Sequence, residues 1–387
     1  MKMTKLNAWR PEKMAIQNFF FVGWSLMVIH LYVKYSSLYD YSNSIVSVFG
    51  LAFFIIKIVK TQYTAKELVL CTLLIFNGIL TFWNSQDLRV LWFAVAIMAV
   101  KNVDIEKTIK LTYHITIVCC ALFFLAYLLG ISEDRIVYLD NGNIRRGFGL
   151  GHSNMLQAYI LYIISMAIYI RYEKLKKGNL IMFALFALCI YTFSHSRTGI
   201  LVTIFVLIMA WSICFCPSKN LISRGFKSIL NLYIIIFSVL PILYHKCINP
   251  IFSMLNDMLT YRITQAAYFC NAYGIKLFGQ WPMELTYERK YIFLDMGYVS
   301  MMIRQGLVYF LIIAGSMMFL LNKYVKEKCF KRILLLAAFI FHLGTENVAT
   351  YIFMNVSMLF ISELIFSKKV NTEMSNIDFG RSGYGGA

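Results

Sequence analysis

The sequence predicts an all-α polytopic membrane protein, with about twelve transmembrane helices in a single integral membrane domain, residues 1–370. Hydrophobic residues make up 59% of the 387 residues and charged residues 14%, whereas a soluble domain is nearer half apolar and a quarter charged. Apolar stretches of roughly 18–20 residues, long enough to cross a bilayer, recur along the whole chain. No soluble domain of ordinary size fits between them.

The predicted spans follow one another with short polar connections. The first lies behind the basic segment 1–13, has full length and lacks a small-residue cleavage site, so we interpret it as a span and not as a signal peptide. Residues 371–387 are expected to form a cytoplasmic tail, and its end, GRSGYGGA, is typical of a disordered or appended peptide. The predicted spans are 15–33, 43–59, 67–83, 88–101, 110–130, 154–171, 179–194, 198–215, 228–245, 297–322, 331–344 and 347–366.

The basic residues predict the orientation of the spans. With the N-terminus in the cytoplasm, 25 of the 37 Lys and Arg residues fall in cytoplasmic segments, and each such segment holds at least three. This is the asymmetry that the positive-inside rule describes, so both termini are predicted to be cytoplasmic. The basic residues behind the net charge of +18 are therefore interpreted as orienting the helices, and not as a binding surface for nucleic acid. The longer outer loops are about 131–153 and 246–296.

No metal site or cofactor is predicted. The nine Cys residues are scattered, mostly inside spans, without paired metal-ligand spacing. Cys247 and Cys270 both fall in the second outer loop, where a disulfide and two free thiols are the alternatives. The cytoplasmic face shows no nucleotide motif and no acidic metal pair, which argues against a nucleotide-dependent reaction.

The first outer loop ends in IRRGFGLGHSNMLQAY, in which two arginines precede three alternate glycines. Glycines let backbone N–H groups turn towards an anion, and the start of a helix adds a positive dipole end. Arg146 and His152 are therefore candidate phosphate contacts, and Asn154 is a candidate for orienting a substrate. The alternative is a plain tight turn with arginines at the lipid headgroups.

The break SHSRTG between two apolar runs repeats this chemistry. Ser196 or Thr198 can cap the following span, and Arg197 sits at the same helix start. A guanidinium at a helix N-terminus favours phosphate, so Arg197 and the neighbouring His195 are candidate phosphate contacts. The alternative is an interfacial arginine that extends to the lipid headgroups.

The stretch IFSMLNDMLTYRITQAAYF has helical periodicity and predicts an amphipathic helix in the second outer loop. Its polar face carries Ser253, Asn256, Asp257, Thr260 and Thr264. Arg262 lies on the opposite, apolar face, so we expect its guanidinium to turn inward. A buried guanidinium needs an anionic partner, either a ligand or a carboxylate of the protein.

Two carboxylates are predicted at the outer ends of late spans. Asp295 stands where the long loop re-enters the membrane, and Glu346 lies in the turn GTENVATY. Carboxylates at an apolar mouth have raised pKa values and can act as bases, although pairing with arginines is the alternative. Tyr298 and Asn347, beside these carboxylates, are candidate substrate-orienting residues.

At these residues the chain resembles the Wzy-type polysaccharide polymerases and the O-antigen ligases. Four stretches carry the likeness, namely RRGFGLGHSN, SHSRTG, the long outer loop ending in LDMGYVSMMIRQG, and GTENVATY. Their order and outer placement make the match specific, and the hydropathy agrees over nearly the full length. Related ligases usually show His-Asn before the tyrosine of the re-entry motif, and many polymerases show Asp-Asn. Here Asp295 favours a polymerase, and Met296 departs from both patterns.

The resemblance implies a GT-C-like, metal-independent glycosyltransferase of the bacterial inner membrane, with its site on the extracytoplasmic face. The donor would be an oligosaccharide on undecaprenyl diphosphate, and the acceptor a sugar hydroxyl of a second lipid-linked repeat, joined with inversion. Further partners would be membrane lipids, a flippase and a chain-length regulator. The family's diphosphate-binding arginines map onto Arg197 and Arg262, and less closely onto Arg146.

Among the candidate bases, Asp295 ranks first and Glu346 second, because the two histidines lie beside arginines and are expected to donate to phosphate oxygens. Three other functions stay open at the level of sequence. One is a ligase that uses a different acceptor, another is a transporter or flippase of lipid-linked glycans, and the third is a non-enzymatic partner of such a machine. A transporter is expected to carry charges deep inside several spans, whereas this sequence places them mainly at one face.

Overall fold

The computed structural model describes residues 4–38, 44–138, 142–244, 250–283, 285–287 and 290–366, and in them helices dominate as predicted. Two short antiparallel hairpins, β1–β2 and β3–β4, were not predicted. The helices are α1 (Thr4–Tyr35), α2 (Ser44–Val59), α3 (Ala65–Ser85), α4 (Arg89–Ala99), α5 (Ile105–Leu128), α6 (Ser153–Arg171), α7 (Lys177–Ser194), α8 (Arg197–Phe215), α9 (Lys219–Leu243), α10 (Pro250–Met258), α11 (Arg262–Tyr273), α12 (Gly297–Ser300), α13 (Leu307–Lys326), α14 (Phe330–Thr345) and α15 (Ser362–Ile365). The strands are β1 (Val137–Tyr138), β2 (Ile144–Arg145), β3 (Leu285–Tyr287) and β4 (Lys290–Ile292).

Eight helices of the described chain are long and apolar enough to cross a membrane, as expected for a membrane-embedded protein. They are α3, α5, α6, α7, α8, α9, α13 and the part of α1 from Ala15 onward. Shorter apolar helical stretches occur at Ser44–Val59, Arg89–Ala99 and Val356–Ile365.

Local sequence sets several helix boundaries. The Thr64 hydroxyl accepts a hydrogen bond from the Glu67 backbone, and the Glu67 carboxylate accepts one from the Thr64 backbone, so a capping box starts α3. The Asp104 carboxylate caps α5 by accepting a single hydrogen bond from the Lys107 backbone N–H. At the end of α7, His195 adopts the left-handed conformation with φ of 45°, and the chain enters α8 two residues later.

Helix α6 lies at the centre of the bundle. It contacts α5, α7, α8 and α14, and nearly every side chain in it is buried. Aromatic stacking joins α6 to α14, with ring centroids 5.0 Å apart for Tyr162 and Phe339, and also to α1, with 4.7 Å for Tyr159 and Tyr32. A helix that is apolar on all sides is expected in such a central position.

The predicted span 297–322 is not one helix. The chain forms α12, continues through a π-helical turn at Met301–Gln305, and breaks at Gly306 before α13. Gly306 has φ of 94°, which favours glycine. The backbone N–H groups freed by the break, at Leu307 and Val308, donate to carbonyls of the segment 276–277.

The predicted span 347–366 is also wrong as a continuous helix. It consists of two 3₁₀ turns, Asn347–Thr350 and Val356–Ile361, followed by the short α15. Between the turns, the Asn355 side chain donates to the Ala349 carbonyl at 3.0 Å. Most of this segment is buried and the rest is partly buried, so protein, and not lipid, surrounds its irregular backbone, as irregular structure at membrane depth requires.

The helix ends gather into two groups. At one end, which we call the site end, the loop before α6, the α7–α8 break, α11 and the end of α14 meet. At the other, which we call the basic end, ion pairs join helix starts and ends. These pairs are Lys101–Glu67, Lys331–Glu106, Lys323–Glu363 and Arg332–Glu363.

Candidate functional site

Arg262 is the centre of the candidate site. Its side chain is only 5% exposed, as the inward-facing prediction requires, and its Nη2 lies 2.7 Å from Glu346 Oε1 and 3.6 Å from Asp295 Oδ2. The other terminal nitrogen donates to the Thr345 carbonyl. One guanidinium thus holds the two predicted catalytic carboxylates together, and both are its anionic partners in this structure.

The amphipathic helix that was predicted to carry Arg262 is interrupted. Thr260 and Tyr261 have φ of 55° and 61°, which separates α10 from α11 and leaves Arg262 as the first residue of α11. Asn256 was predicted on the outer polar face, but it is buried. Its side-chain oxygen accepts from the Thr264 backbone N–H at 3.1 Å and so caps α11.

Two contacts bring the carboxylates within reach of one guanidinium. The Asn347 side chain donates to the Leu294 carbonyl at 2.8 Å, which ties the turn carrying Glu346 to the residue before Asp295. At Gly297 an added Cβ would lie 2.8 Å from the Glu346 carbonyl oxygen, so only glycine permits this approach. Asn347 therefore positions backbone in this structure, whereas a sugar contact had been predicted.

Glu346 has the perturbed acidity expected of a base. Burial raises the pKa of Glu346 to about 7, against the opposing effect of Arg262, and the negative charge of Asp295 acts in the same direction as burial. A carboxylate that ionises near neutral pH is suited to accept a proton at that pH.

Arg145, and not the predicted Arg146, enters the cluster. Its Nη2 donates to the His195 carbonyl at 2.7 Å, and partial burial together with the like charges of Arg262 and Arg197 lowers the pKa of Arg145. Arg145 ends β2, and successive side chains of a strand point to opposite sides. The sequence offered two adjacent arginines and no register with which to choose between them.

Arg197 lies where the sequence predicted, as the first residue of α8 with an exposed side chain. Ser196 occupies the N-cap position, but its hydroxyl makes no capping bond. His195 contributes its backbone carbonyl to Arg145, while its ring lies 6.0 Å from that of Tyr191.

The glycine-rich loop already binds an anion of the protein itself. The backbone N–H groups of Gly147 and Phe148 donate to Asp134 Oδ1 at 2.8 and 2.9 Å. A Cβ at Gly147 would lie 2.0 Å from the Gly151 carbonyl oxygen, so the chain folds tightly onto itself. Glycines do turn N–H groups towards an anion here, but the anion is the Asp134 carboxylate and not a ligand.

His152 is a neutral donor at the start of α6. Its Nδ1 accepts from the Asn154 backbone at 3.2 Å, which leaves Nε2 to carry the proton. Partial desolvation of the ring, followed by the charge of Arg145, lowers the pKa of His152. Asn154 follows at the same helix start and is half-buried.

A buried polar group beneath these residues was missed by the sequence analysis. Gln157 is fully buried in α6, and its Oε1 accepts from the Ser194 hydroxyl at 3.1 Å. Its Nε2 and the hydroxyls of Ser153 and Ser196 have no partner in the described structure. Three unused polar groups at the starts of α6 and α8 provide further hydrogen-bonding capacity next to the arginines.

Tyr298 does not face the cluster. Its side chain is fully buried and its hydroxyl donates to the Ile340 carbonyl at 2.8 Å. The residue packs α12 against α14, in place of the substrate-orienting role predicted for it.

The described residues contain no group of three or more potential metal ligands. Cys247 lies outside them, so a disulfide with Cys270 and two free thiols stay the alternatives. Comparisons with family models, curated proteins and solved structures find no match to this chain.

Proposed function

We propose that the protein is a polymerase of lipid-linked oligosaccharide repeats. It transfers a glycan from undecaprenyl diphosphate to a sugar hydroxyl of a second lipid-linked repeat, in the manner of the Wzy-type enzymes that the sequence resembles. The observation that carries the proposal is the pairing of two carboxylates on the buried Arg262, with Arg145 and Arg197 alongside.

The arginines and His152 supply the binding site for the diphosphate. Arg197 is exposed at a helix start and Arg145 is half-buried beside it, and guanidinium groups bind phosphate oxygens in bidentate fashion. Arg262 already has carboxylate partners, so a phosphate would compete first with Asp295, the more distant of them at 3.6 Å. His152 Nε2 and the unused polar groups of Gln157 and Ser196 add neutral donors.

The reaction needs one base and a stabilised leaving group. The acceptor hydroxyl oxygen attacks the anomeric carbon, its proton passes to a carboxylate, and the bond from that carbon to the diphosphate oxygen breaks. Arginines neutralise the charge that develops on the departing diphosphate. Glu346 is the better-supported base because its pKa lies near 7, while Asp295, first in the sequence ranking, is the more exposed of the two at 33%.

We place the site end on the extracytoplasmic face of the bacterial inner membrane and the basic end in the cytoplasm, with both termini cytoplasmic. The distribution of Lys and Arg along the chain supports this orientation. The proposal extends to a GT-C-like bundle, in which about twelve membrane segments include the short and interrupted ones.

A transporter of lipid-linked glycans is the second candidate, and one observation favours it. The segment 297–306 is interrupted next to the buried ion pair Arg89–Asp87, whose atoms Nε and Oδ2 are 3.1 Å apart. Interrupted helices and charges within the bundle are typical of transporters.

An assay with the purified protein and its lipid-linked repeats separates the candidates. A polymerase yields a ladder of longer glycans and releases undecaprenyl diphosphate without added nucleotide. A transporter yields transbilayer movement without new bonds, and a ligase yields product only when a different acceptor is supplied. Absence of any ladder under conditions that keep the protein monodisperse would refute the polymerase proposal.

A further inference from the structure

A second cationic group, which we call the Arg304 cluster, lies beside the site described above, and it is joined to the turn that carries Glu346 by the bond from Arg89 to Thr350. It consists of Arg304 in the π-helical turn, Arg89 and Asp87 at the start of α4, and Tyr35 and Tyr351, which interact electrostatically with Arg304.

Asp87, the carboxylate of this cluster, is already engaged. Its Oδ1 accepts from the Arg89 backbone at 2.9 Å, and its Oδ2 lies 3.1 Å from Arg89 Nε and 3.3 Å from Gln305 Nε2. Arg89 also donates to the Thr350 hydroxyl at 2.8 Å and lies over the Tyr351 ring at 4.5 Å. Both oxygens of Asp87 are thus engaged by Arg89 and Gln305, and Arg89 Nη1 is bonded to Thr350, whereas Arg89 Nε makes no hydrogen bond.

Arg304 forms no salt bridge within the cluster, and the charge of Asp87 acts on it only from beyond salt-bridge distance. No carboxylate in the described part of the chain forms a salt bridge with it, and its Nε is buried without a hydrogen-bond partner. A desolvated guanidinium without an anion is costly, so Arg304 points to a ligand that carries negative charge.

A cavity of about 260 Å³ adjoins Arg304 and indicates the rest of that ligand. Its other lining residues are apolar: Phe269, Pro282, Met283, Ile292, Phe293 and Leu294. A sugar ring needs several polar partners, whereas one guanidinium in an apolar wall fits an anionic head followed by a hydrocarbon chain.

The rim of the cavity indicates where such a molecule enters. Met283 and Phe293 are 73% and 64% exposed, and the neighbouring Trp281 is 60% exposed. Exposed aromatic and apolar side chains at one rim mark contact with a membrane or another partner, and tryptophan favours the membrane interface. A lipid can therefore reach Arg304 laterally from the bilayer.

The wall that carries Arg304 is held rigidly. At Gly279 an added Cβ would lie 2.2 Å from the Arg304 carbonyl oxygen, and the Gln280 backbone donates to the Ile303 carbonyl at 3.0 Å. The backbone that carries Arg304 is thus packed closely against residues 279–280.

We infer that Arg304 and this cavity form a second lipid-phosphate site, which holds the diphosphate of the acceptor repeat and the first part of its prenyl chain. The inference rests on the proposed function for the identity of this second substrate. It gives the two lipid-linked molecules of a polymerisation step separate anchors, one at Arg145 and Arg197 and one at Arg304.

The test counts bound farnesyl diphosphate, a short prenyl diphosphate, on the purified full-length protein by native mass spectrometry. We expect two equivalents on the wild type and one on Arg304→Gln, with the affinity of the second site weakened by roughly ten- to a hundredfold. Lys276→Gln is the matched control and should retain both equivalents. The Lys276 side chain is exposed, and its backbone carbonyl is bonded to Leu307, just beyond the turn that carries Arg304. Arg304→Lys keeps the charge and should show a weaker second equivalent. Retention of the first equivalent by Arg304→Gln shows that the variant is folded.

Two further measurements complete the test. One distinguishes a prenyl diphosphate from bulk lipid as the ligand, and the other distinguishes failure of this inference from failure of the proposed function. An excess of phosphatidylglycerol should leave the second equivalent bound, and its displacement would overturn the acceptor assignment in favour of bulk lipid. A wild type that binds one equivalent, lost in Arg145→Gln and kept in Arg304→Gln, would overturn this inference and leave the proposed function standing. A wild type that binds none would overturn both.

Discussion

At the scale of single residues, one buried guanidinium organises the candidate site. Arg262 is held by Glu346, Asp295 and the Thr345 carbonyl, and a buried charge of this kind requires such partners. The two carboxylates share one cation, so burial and mutual repulsion raise the pKa of Glu346. Arg145 and Arg197, the other two arginines of the candidate site, form no salt bridge with a carboxylate in the described structure.

Replacing either of these two arginines by lysine should abolish most of the polymer formation. Arg145→Lys and Arg197→Lys keep the charge but lose the planar fork that matches phosphate. We expect a loss of about tenfold or more, since charged hydrogen bonds contribute about 1.5–3 kcal/mol each. Arg146→Lys is the matched control and should act like the wild type. Polymer yields are measured at equal protein levels. Equal loss in all three variants would contradict the choice of Arg145 over Arg146 as the residue that binds phosphate.

The activity should depend on pH through the ionisation of Glu346. The ionised form is the base, so the rate should rise with pH through about 7, the raised pKa of this group. Glu346→Gln should remove this rise and lower turnover by about 10²–10⁴-fold while lipid-diphosphate binding persists. The measurement is a pH–rate profile of wild type, Glu346→Gln and Asp295→Asn. If only Asp295→Asn loses activity, the base is Asp295.

At the scale of elements, the interrupted segment 297–306 determines where the candidate base Asp295 and the cation Arg304 lie. It brings Asp295 to the end of α14 and Arg304 to the start of α4. An uninterrupted helix, which hydropathy alone predicts, would cross the bundle without a break. It would leave Asp295 and Arg304 away from the ends of α14 and α4.

Gly306→Ala should destabilise this segment. Gly306 has φ of 94°, and an added Cβ would lie 2.3 Å from the Leu277 carbonyl oxygen, so alanine meets both backbone strain and a clash. We expect a lower thermal unfolding midpoint in detergent and lost activity. Gly315→Ala in α13 is the control, because nothing lies within 4 Å of its added Cβ. An equal midpoint for Gly306→Ala and the wild type would contradict the account of this break.

The same elements show what sequence reasoning can reach. Long apolar helices such as α5 and α8, and the inward face of Arg262, follow from periodicity and local composition. The break at Gly306 and the left-handed turn at Thr260–Tyr261 depend on tertiary hydrogen bonds, which hydropathy does not record. The choice of Arg145 over Arg146 depends on strand register, and the anion in the glycine loop, Asp134, lies a dozen residues upstream.

At the scale of the whole molecule, charge and chemistry are separated along the bundle. Most paired lysines lie at the basic end, whereas the site end gathers Arg145, Arg197 and Arg262 around helix starts. In a polymerase whose substrates arrive on the outer leaflet, the lysines of the basic end would orient the protein in the membrane. The arginines of the site end would bind the substrate.

Single cysteines in a cysteine-free background should report this separation. Positions 140, 195 and 270 should react with a membrane-impermeant maleimide added from outside, and position 175 should react only after the membrane is opened. Positions 195 and 175 lie at opposite ends of α7, which makes them a matched pair. Labelling of 175 and 270 from the same side would place the site residues on the wrong face.

The most direct test of the central claim uses proteoliposomes in which the protein is inserted in one orientation. Lipid-linked repeats are supplied only to the leaflet that the site end faces, and glycan length and released undecaprenyl diphosphate are measured together. The account predicts a ladder of glycans with one diphosphate released per bond formed, and loss of both in Arg197→Lys. Chain growth only when the repeats are supplied to the opposite leaflet, or transbilayer movement of the repeats without growth, would contradict it.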